Sequence, residues 1–308
     1  MVNGKVIAGT LAVAFAGAMV LRLALPGAGD ASNGDDRRAR VHTRVVSMAP
    51  GITETLYAVG ADAAVIGVTR YCTFPPDAQE NTDIGGFFDP NYETIVQLQP
   101  DLVILYPFHD EAQAKLGALG IETLVVDHRT LPGILDSITM IGAATGHDAE
   151  AELLLNELTS RAERVEKHTA GLRRPSVLVS AGRDKGSGQL TEIYASGQNS
   201  WYNSLLEMAG GTNAYTSDMI QFPTISVEGL IELDPDVIVE MVRGIELQSY
   251  SAEDIIEEWE TIPELRAVKS GRVYVLGGDH TTVPGPRFVL VLEDLARVLH
   301  PEIEWTAP

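Results

Sequence analysis

The chain predicts an α/β protein of two similar lobes, each on a parallel-type sheet, joined by one long helix. Three observations carry this. Buried-strand patterns alternate with helical ones from residue 44 onward. One amphipathic run, residues 148–174, is far longer than the other helical stretches. And "NYETIVQLQPDLVI" (91–104) returns 135 positions later as "SVEGLIELDPDVIV" (226–239). The two copies share Glu93/Glu228, Leu98/Leu233, Pro100/Pro235 and Asp101/Asp236, and five further positions exchange one aliphatic residue for another. A short helix, a proline stop and a buried strand therefore occur once in each half.

The first residues stand apart. In "KVIAGTLAVAFAGAMVLRLAL" one lysine precedes sixteen uncharged, mostly apolar residues, Val6 to Leu21, closed by Arg22. That pattern assigns residues 1–25 to a secretory signal peptide or a short uncleaved anchor. It predicts export, to the periplasm or the outer face of the cytoplasmic membrane. No cysteine lies near this segment, which excludes a lipidated N-terminal cysteine. Residues 26–43, "PGAGDASNGDDRRARVHT", read as a polar linker.

The N-terminal lobe is expected over residues 44–147. Its strands are "RVVSM", "AVIGV", "DLVILY" and "ETLVVD", each a short apolar run. Between them lie "GITETLYAVGA", with Thr53 as the expected N-cap, then "DEAQAKLGALG" and "LPGILDSITMIGAATG". In the 148–174 run, Leu154, Leu158, Ala162 and Val165 recur at spacings of four and three, with charges on the other faces. A helix of that length spans roughly 35 Å, too long for a crossover within one lobe. Pro175 stops it, and the C-terminal lobe follows over 175–308. There the strands are "SVLVS", "EIYASG", "DVIVEMV" and "GRVYVLGG". The helices are "WYNSLLEMAGG", "SAEDIIEEWETI" and the closing "GPRFVLVLEDLARVLHP", with Pro286 expected in its first turn.

Composition narrows the function. With 43 acidic against 22 basic residues the net charge is −21, and no basic stripe offsets it, so nucleic acid is excluded as a partner. Cys72 is the only cysteine, so no internal disulfide exists and the thiol reads as a small buried hydrophobe. P-loop, GxGxxG, GxSxG and HExxH patterns are all missing, and "GRDKGSG" lacks the P-loop spacing. The chain reads as a monomeric binding protein, not an enzyme. A membrane-tethered sensor domain is the alternative if the N-terminal segment is retained.

From residue 44 to 300 the sequence resembles the periplasmic iron-chelate and cobalamin substrate-binding proteins of ABC importers, the vitamin B12 binders most of all. The resemblance is carried by "RVVSMAPGITETLYAVGA", "GVTRYCTFPPDA", "DIGGFFDPNYETIVQLQPDLVI", "LGIETLVVD", "MAGGTNAY", "ISVEGLIELDPDVIV" and "VPGPRFVLVLEDLARVLHPE", in that order. It implies a ligand cleft between the lobes, a rigid connecting helix, no catalysis and no resident cofactor. The implied ligand is cobalamin or another corrinoid, or a ferric chelate. It also implies a permease dimer as partner, with Glu93 and Glu228 matching the glutamates that dock one on each permease subunit. A carboxylate in the first turn also favours its own helix, which is the plainer reading of each alone.

Ligands of open α/β sheets bind beyond the carboxyl ends of the strands. Those segments hold Tyr71, Phe74, Phe87, Phe88 and Phe222. By resemblance, Tyr71 matches a corrin-contacting tyrosine, and Phe87 or Phe88 and Phe222 stand where tryptophans contact the corrin. Arg70, Asp279 and His280 are further ligand-binding candidates, and Arg129, Arg183 and Arg243 lie in the same segments; arginine suits the anionic groups of a siderophore or haem. His109, His128 and His280, with Asp279 beside the last, form an alternative set for a bare Zn²⁺ or Mn²⁺. One of these histidines, or Tyr71, is alternatively an axial ligand to haem iron.

Overall fold

The structure, a computed structural model, describes residues 40–186, 188–244 and 250–305. The expected signal peptide or anchor, and all but the end of the linker, lie outside them. Strands β1 (Val45–Ser47), β2 (Val65–Val68), β3 (Thr82–Asp83), β4 (Leu102–Leu105) and β5 (Thr123–Val125) form the first sheet. They run in the order β3-β2-β1-β4-β5, every pair parallel. The second sheet takes β6 (Ser176–Arg183), β7 (Glu192–Ala195), β8 (Thr212–Asn213), β9 (Thr224–Ser226), β10 (Val237–Met241) and β11 (Val273–Leu276). Its order is β11-β10-β6-β7-β9, with β8 also paired to β6. This sheet is mixed: β7 is antiparallel to both β6 and β9, against the expectation of parallel strands throughout. No helix intervenes between β6 and β7, so the chain returns directly, and a direct return is antiparallel.

Successive residues of a strand face opposite ways, and both sheets use this to bury two faces. Val46 and Val103 face the outer helices α2 (Tyr92–Gln97) and α3 (Asp110–Ala118), meeting Ile95, Ala112 and Leu116. In the other sheet Leu178 and Ile238 meet Leu230 of α7 (Val227–Leu233), Ile255 and Trp259 of α8 (Ala252–Glu260) and Ala267 of α9 (Arg266–Lys269). Val45, Ile104, Val177 and Val239 face inward from both sheets to a single core. That core is filled by α1 (Pro50–Ala58), α4 (Leu131–Thr145), α5 (Asp148–Thr169), α6 (Trp201–Met208) and α10 (Phe288–Leu299).

The long helix, α5, is embedded rather than free-standing. It packs against α4 on one side and α6 and α10 on the other, burying Leu158, Ala162 and Val165. Arg161 adds a two-pronged pair to Glu293 of α10, both contacts at 3.0 Å. The helix ends at Thr169, short of the expected 174, because the chain leaves it at Ala170 and turns through Gly171 at φ 79°. Two other expected ends also shift. Ala49 precedes α1, so Thr53 is no cap; its hydroxyl donates to Ser47 Oγ at 2.7 Å inside the core. Pro286 lies ahead of α10, which starts at Phe288.

The sequence repeat is a repeat of structure. Asn91 and Ser226 cap α2 and α7 by accepting the Thr94 and Gly229 amides at 3.1 and 3.2 Å. Both helices end at a left-handed residue before the proline, Gln99 at φ 48° and Asp234 at φ 37°. They are the only non-glycine residues with positive φ among the described residues. Asp101 then accepts the Arg44 amide at 3.0 Å, and Asp236 the Ser176 amide at 3.1 Å, pinning each module beside its sheet.

Candidate functional site

Where the carboxyl ends of both sheets face each other, a cavity of about 530 Å³ opens between the lobes. Its N-terminal wall carries Tyr71 from the loop after β2, Phe87 after β3, Tyr106 and Phe108 after β4, and His128 and Arg129 after β5. Its C-terminal wall carries Tyr194 of β7, Trp201 and Tyr202 at the start of α6, Phe222 before β9, and Arg243 after β10. On the N-terminal wall each of these residues follows the end of a parallel strand, whereas on the C-terminal wall only Arg243 does; Tyr194 lies within the antiparallel β7, Trp201 and Tyr202 open α6, and Phe222 precedes β9.

The wall is chiefly aromatic. Phe87 meets Phe88 at 4.8 Å edge to face, Phe108 at 5.4 Å and His109 at 4.8 Å, ring centroid to centroid. Opposite, Trp201 and Tyr202 stack at 4.1 Å, and Phe222 stands 6.3 Å from Tyr202 at a steep angle. Tyr202 is held by its hydroxyl, which donates to the Thr281 carbonyl at 2.6 Å. The Gly85–Gly86 pair that brings Phe87 to the wall has a reason: Gly85 sits at φ 96°, and a Cβ there would lie 2.8 Å from the Asp89 carbonyl.

Hydrogen bonds span the lobes around the cavity. Arg243 Nη2 donates to the Tyr71 carbonyl at 2.8 Å and to Thr73 Oγ1 at 3.2 Å. Gln221 Nε2 donates to the Arg129 carbonyl at 2.8 Å. At the back, His128 Nδ1 donates to the Pro284 carbonyl at 2.8 Å, with the Tyr106 hydroxyl at the same distance. Its Nε2 lies 2.6 Å from Ser137 Oγ, whose hydroxyl donates to the Ile134 carbonyl at 2.6 Å. Burial pushes this imidazole down to about 4, so His128 is neutral at ordinary pH. Gly51 closes the seam: a Cβ there would lie 2.0 Å from the Pro284 carbonyl and 2.8 Å from the Tyr106 hydroxyl.

Of the residues expected at a cleft, Tyr71, Phe87, Phe222, Arg129, Arg243 and His128 line the cavity. Others do not. Phe88 is 79% exposed and stands outside, edge-on to Phe87. Arg70 turns toward Asp89 at 3.9 Å. Asp279 accepts from Arg287 at 2.7 Å, and Arg287 also lies over the Phe74 ring at 3.8 Å. Arg183 is buried in its lobe, 3.0 Å from Glu240 and 2.5 Å from Glu258, because the irregularity between Ser180 and Gly182 breaks the strand's alternation and turns it to the outer-helix face. His109 is buried in the aromatic cluster, its Nδ1 accepting the Tyr106 amide at 3.2 Å. Burial holds it below the usual histidine range. His280 sits between Asp279 and Asp294 at 3.8 and 3.6 Å, off the cavity wall. The alternative metal set is therefore not assembled. Among the described residues no three His, Cys, Asp or Glu side chains converge as metal ligands. Cys72 is buried beside the hydroxyls of Thr53 and Thr69 at 3.1 and 3.2 Å, and burial raises its thiol.

The aromatic residues missed from sequence are Tyr106, Phe108, Tyr194, Trp201 and Tyr202. Tyr106 and Phe108 fall in a segment that strand order had placed at the cleft. Trp201 and Tyr202 read as an ordinary buried helix face, and no local signal separates them from core.

The fold is shared with known proteins. The model of the periplasmic binding protein family matches residues 45–280, most of the chain. The chain belongs to the periplasmic binding protein family. Among relatives, an uncharacterized ABC transporter substrate-binding lipoprotein of Bacillus subtilis is 29% identical over 281 residues, covering 89% of this chain and 85% of that one. A cobalamin-binding protein of Halobacterium salinarum is 26% identical over 265 residues, covering 83% of this chain and 69% of that one. The crystal structure of the periplasmic vitamin B12-binding protein of Vibrio cholerae superposes with a TM-score of 0.71 at 23% identity, covering 84% of this chain and 97% of that one. That likeness is one of fold. The family is one of binding proteins rather than enzymes. Among the described residues no helix is long and apolar enough to cross a membrane.

Proposed function

We propose that this periplasmic binding protein captures a large metal chelate, a corrinoid in the first place, outside the membrane and hands it unchanged to an ABC import permease. The observation that carries the reading is the aromatic wall on both sides of the cavity, Tyr71, Phe87 and Phe108 facing Trp201, Tyr202 and Phe222. Broad aromatic faces give a large flat ligand much contact at low entropic cost, and they offer a bare ion nothing. The cobalamin-binding relative from Halobacterium supports the choice of ligand. Of the residues first assigned, Tyr71, Phe87 and Phe222 contact the ligand in this reading. Phe88, Arg70, Asp279 and His280 stand off the wall and shape its surroundings.

A ferric porphyrin is the second reading. Tyr71 is 45% exposed on the wall and offers a phenol oxygen to iron, whereas His128 has both ring nitrogens engaged. In either reading Glu93 and Glu228, both exposed, dock one on each of two like permease subunits through carboxylate–guanidinium pairs. The N-terminal segment directs export, the lobes are 44–147 and 175–308, and the protein acts as a monomer.

Visible absorption tests this. Protein mixed with cyanocobalamin, haemin or a ferric hydroxamate and passed over a desalting column should retain one chelate per chain, released chemically unaltered on denaturation. Turnover of the chelate, or retention of Zn²⁺ and of no chelate, would contradict it.

A further inference from the structure

The repeated modules carry more than a repeated glutamate. We propose that Val96 and Ile231 complete two matched docking knobs, each a carboxylate with an aliphatic side chain one turn beyond it, that seat in two equivalent sockets of one membrane subunit present twice. This rests on the docking reading above and deepens it.

The argument turns on which positions of the repeat stay alike. Buried pairs such as Ile95/Leu230 and Val103/Ile238 are alike because both cores need them. Four pairs are exposed in both copies: Asn91/Ser226, Glu93/Glu228, Val96/Ile231 and Gln97/Glu232. The first are the helix caps, which the fold explains. The last differ in charge. Glu93/Glu228 is identical, and Val96/Ile231 stays aliphatic although Val96 is 44% and Ile231 42% exposed. Close to half of each residue's surface is left in water, more than the fold itself needs an aliphatic side chain for. Both are β-branched, which costs helix propensity, and solvent gains nothing from an apolar side chain there.

Positions three apart share one face of a helix, so the carboxylate of Glu93 adjoins Val96, and that of Glu228 adjoins Ile231. Matched caps and the matched left-handed residues Gln99 and Asp234 give both knobs the same backbone. A socket that fits offers a cation beside an apolar surface. A guanidinium suits this, being weakly hydrated and planar. Because the knobs are alike, one socket type serves both, and two copies of one subunit supply it.

The test uses the ligand-loaded full-length protein and its importer in lipid nanodiscs. Val96→Ser and Ile231→Ser should each weaken importer binding roughly fivefold, and the double variant about twentyfold or more, with affinity for the chelate and thermal melting unchanged. A photo-crosslinking residue at 96 and one at 231 should join the same peptide of the same subunit. Serine variants that bind the importer normally while Glu93→Ala and Glu228→Ala do not would overturn the apolar half and leave glutamate docking intact. Normal binding by all four variants would overturn docking as well. Crosslinks to two different polypeptides, or a loss confined to one site, would overturn the matched sockets.

Discussion

Arg287 and Glu54 form a two-pronged ion pair across the lobes, Nη2 to Oε1 at 2.6 Å and Nε to Oε2 at 2.8 Å. Glu54 lies on α1 in the N-terminal lobe, buried, and Arg287 stands at the head of α10 in the other. Burial raises the Glu54 carboxyl, and the Arg287 hydrogen bond opposes that rise. With Asp279 on its third nitrogen and Phe74 under its face, Arg287 ties the lobes at one point.

Removing one partner should therefore cost more than the pair is worth. Arg287→Leu leaves a buried carboxylate alone and should lower the unfolding free energy by about 3–5 kcal/mol, read by urea titration. Glu54→Leu with Arg287→Leu should recover most of that loss. A single variant as stable as wild type would mean the pair does not hold the seam.

Acid should loosen the same seam through His128. Its imidazole is held at about 4 in the folded protein, against roughly 6.5 in the unfolded chain. Between those values the unfolded state binds more protons, so stability is full above about pH 6.5 and falls as pH drops to about 4. One such group contributes on the order of 3 kcal/mol at most. Stability curves from pH 7 to 4 should be flatter for His128→Gln than for wild type, and parallel curves would contradict the buried neutral imidazole.

On the cavity wall, Tyr71→Ala or Phe222→Ala should weaken cyanocobalamin binding by roughly 1–3 kcal/mol, about ten- to a hundredfold. Phe88→Ala, outside the wall, should change it by less than about threefold. Equilibrium dialysis reads all three. A Phe88 effect as large as that at Tyr71 would mean the ligand extends over the rim.

The order of the longer strands and helices, the one long helix and the repeat were legible because each is written in local periodicity. The burial of that helix against α4, α6 and α10 was not, nor were the short strands β3, β8 and β9. The direction of β7 was not, since it depends on how the chain returns between residues 184 and 191. The cleft segments of the N-terminal wall were legible as well, because its parallel strands end together. Side-chain direction at those ends was not. Arg183 reads like a cleft arginine until Glu240 and Glu258 are seen to claim it. Asp279 and His280 sit on a single turn of 3₁₀ helix that carries them toward Arg287 and Asp294. Trp201 and Tyr202 are half core, half wall, a division that only tertiary packing makes.

With α5 packed between α4 and α10, and Arg161 locked to Glu293, lobe rotation should be small. Small-angle scattering should give nearly equal radii of gyration with and without cyanocobalamin. A marked compaction would mean that the inner helical layer slides.

The central claim is that aromatic side chains from both lobes grip one chelate. Titration calorimetry of cyanocobalamin against wild type, Tyr71→Ala, Phe222→Ala and the double variant tests it most directly. We expect one site per chain, a loss in each single variant, and a larger loss in the double variant. Tight binding of Zn²⁺ with no heat from cyanocobalamin, haemin or a ferric hydroxamate, or a chelate whose affinity ignores one wall entirely, would contradict it.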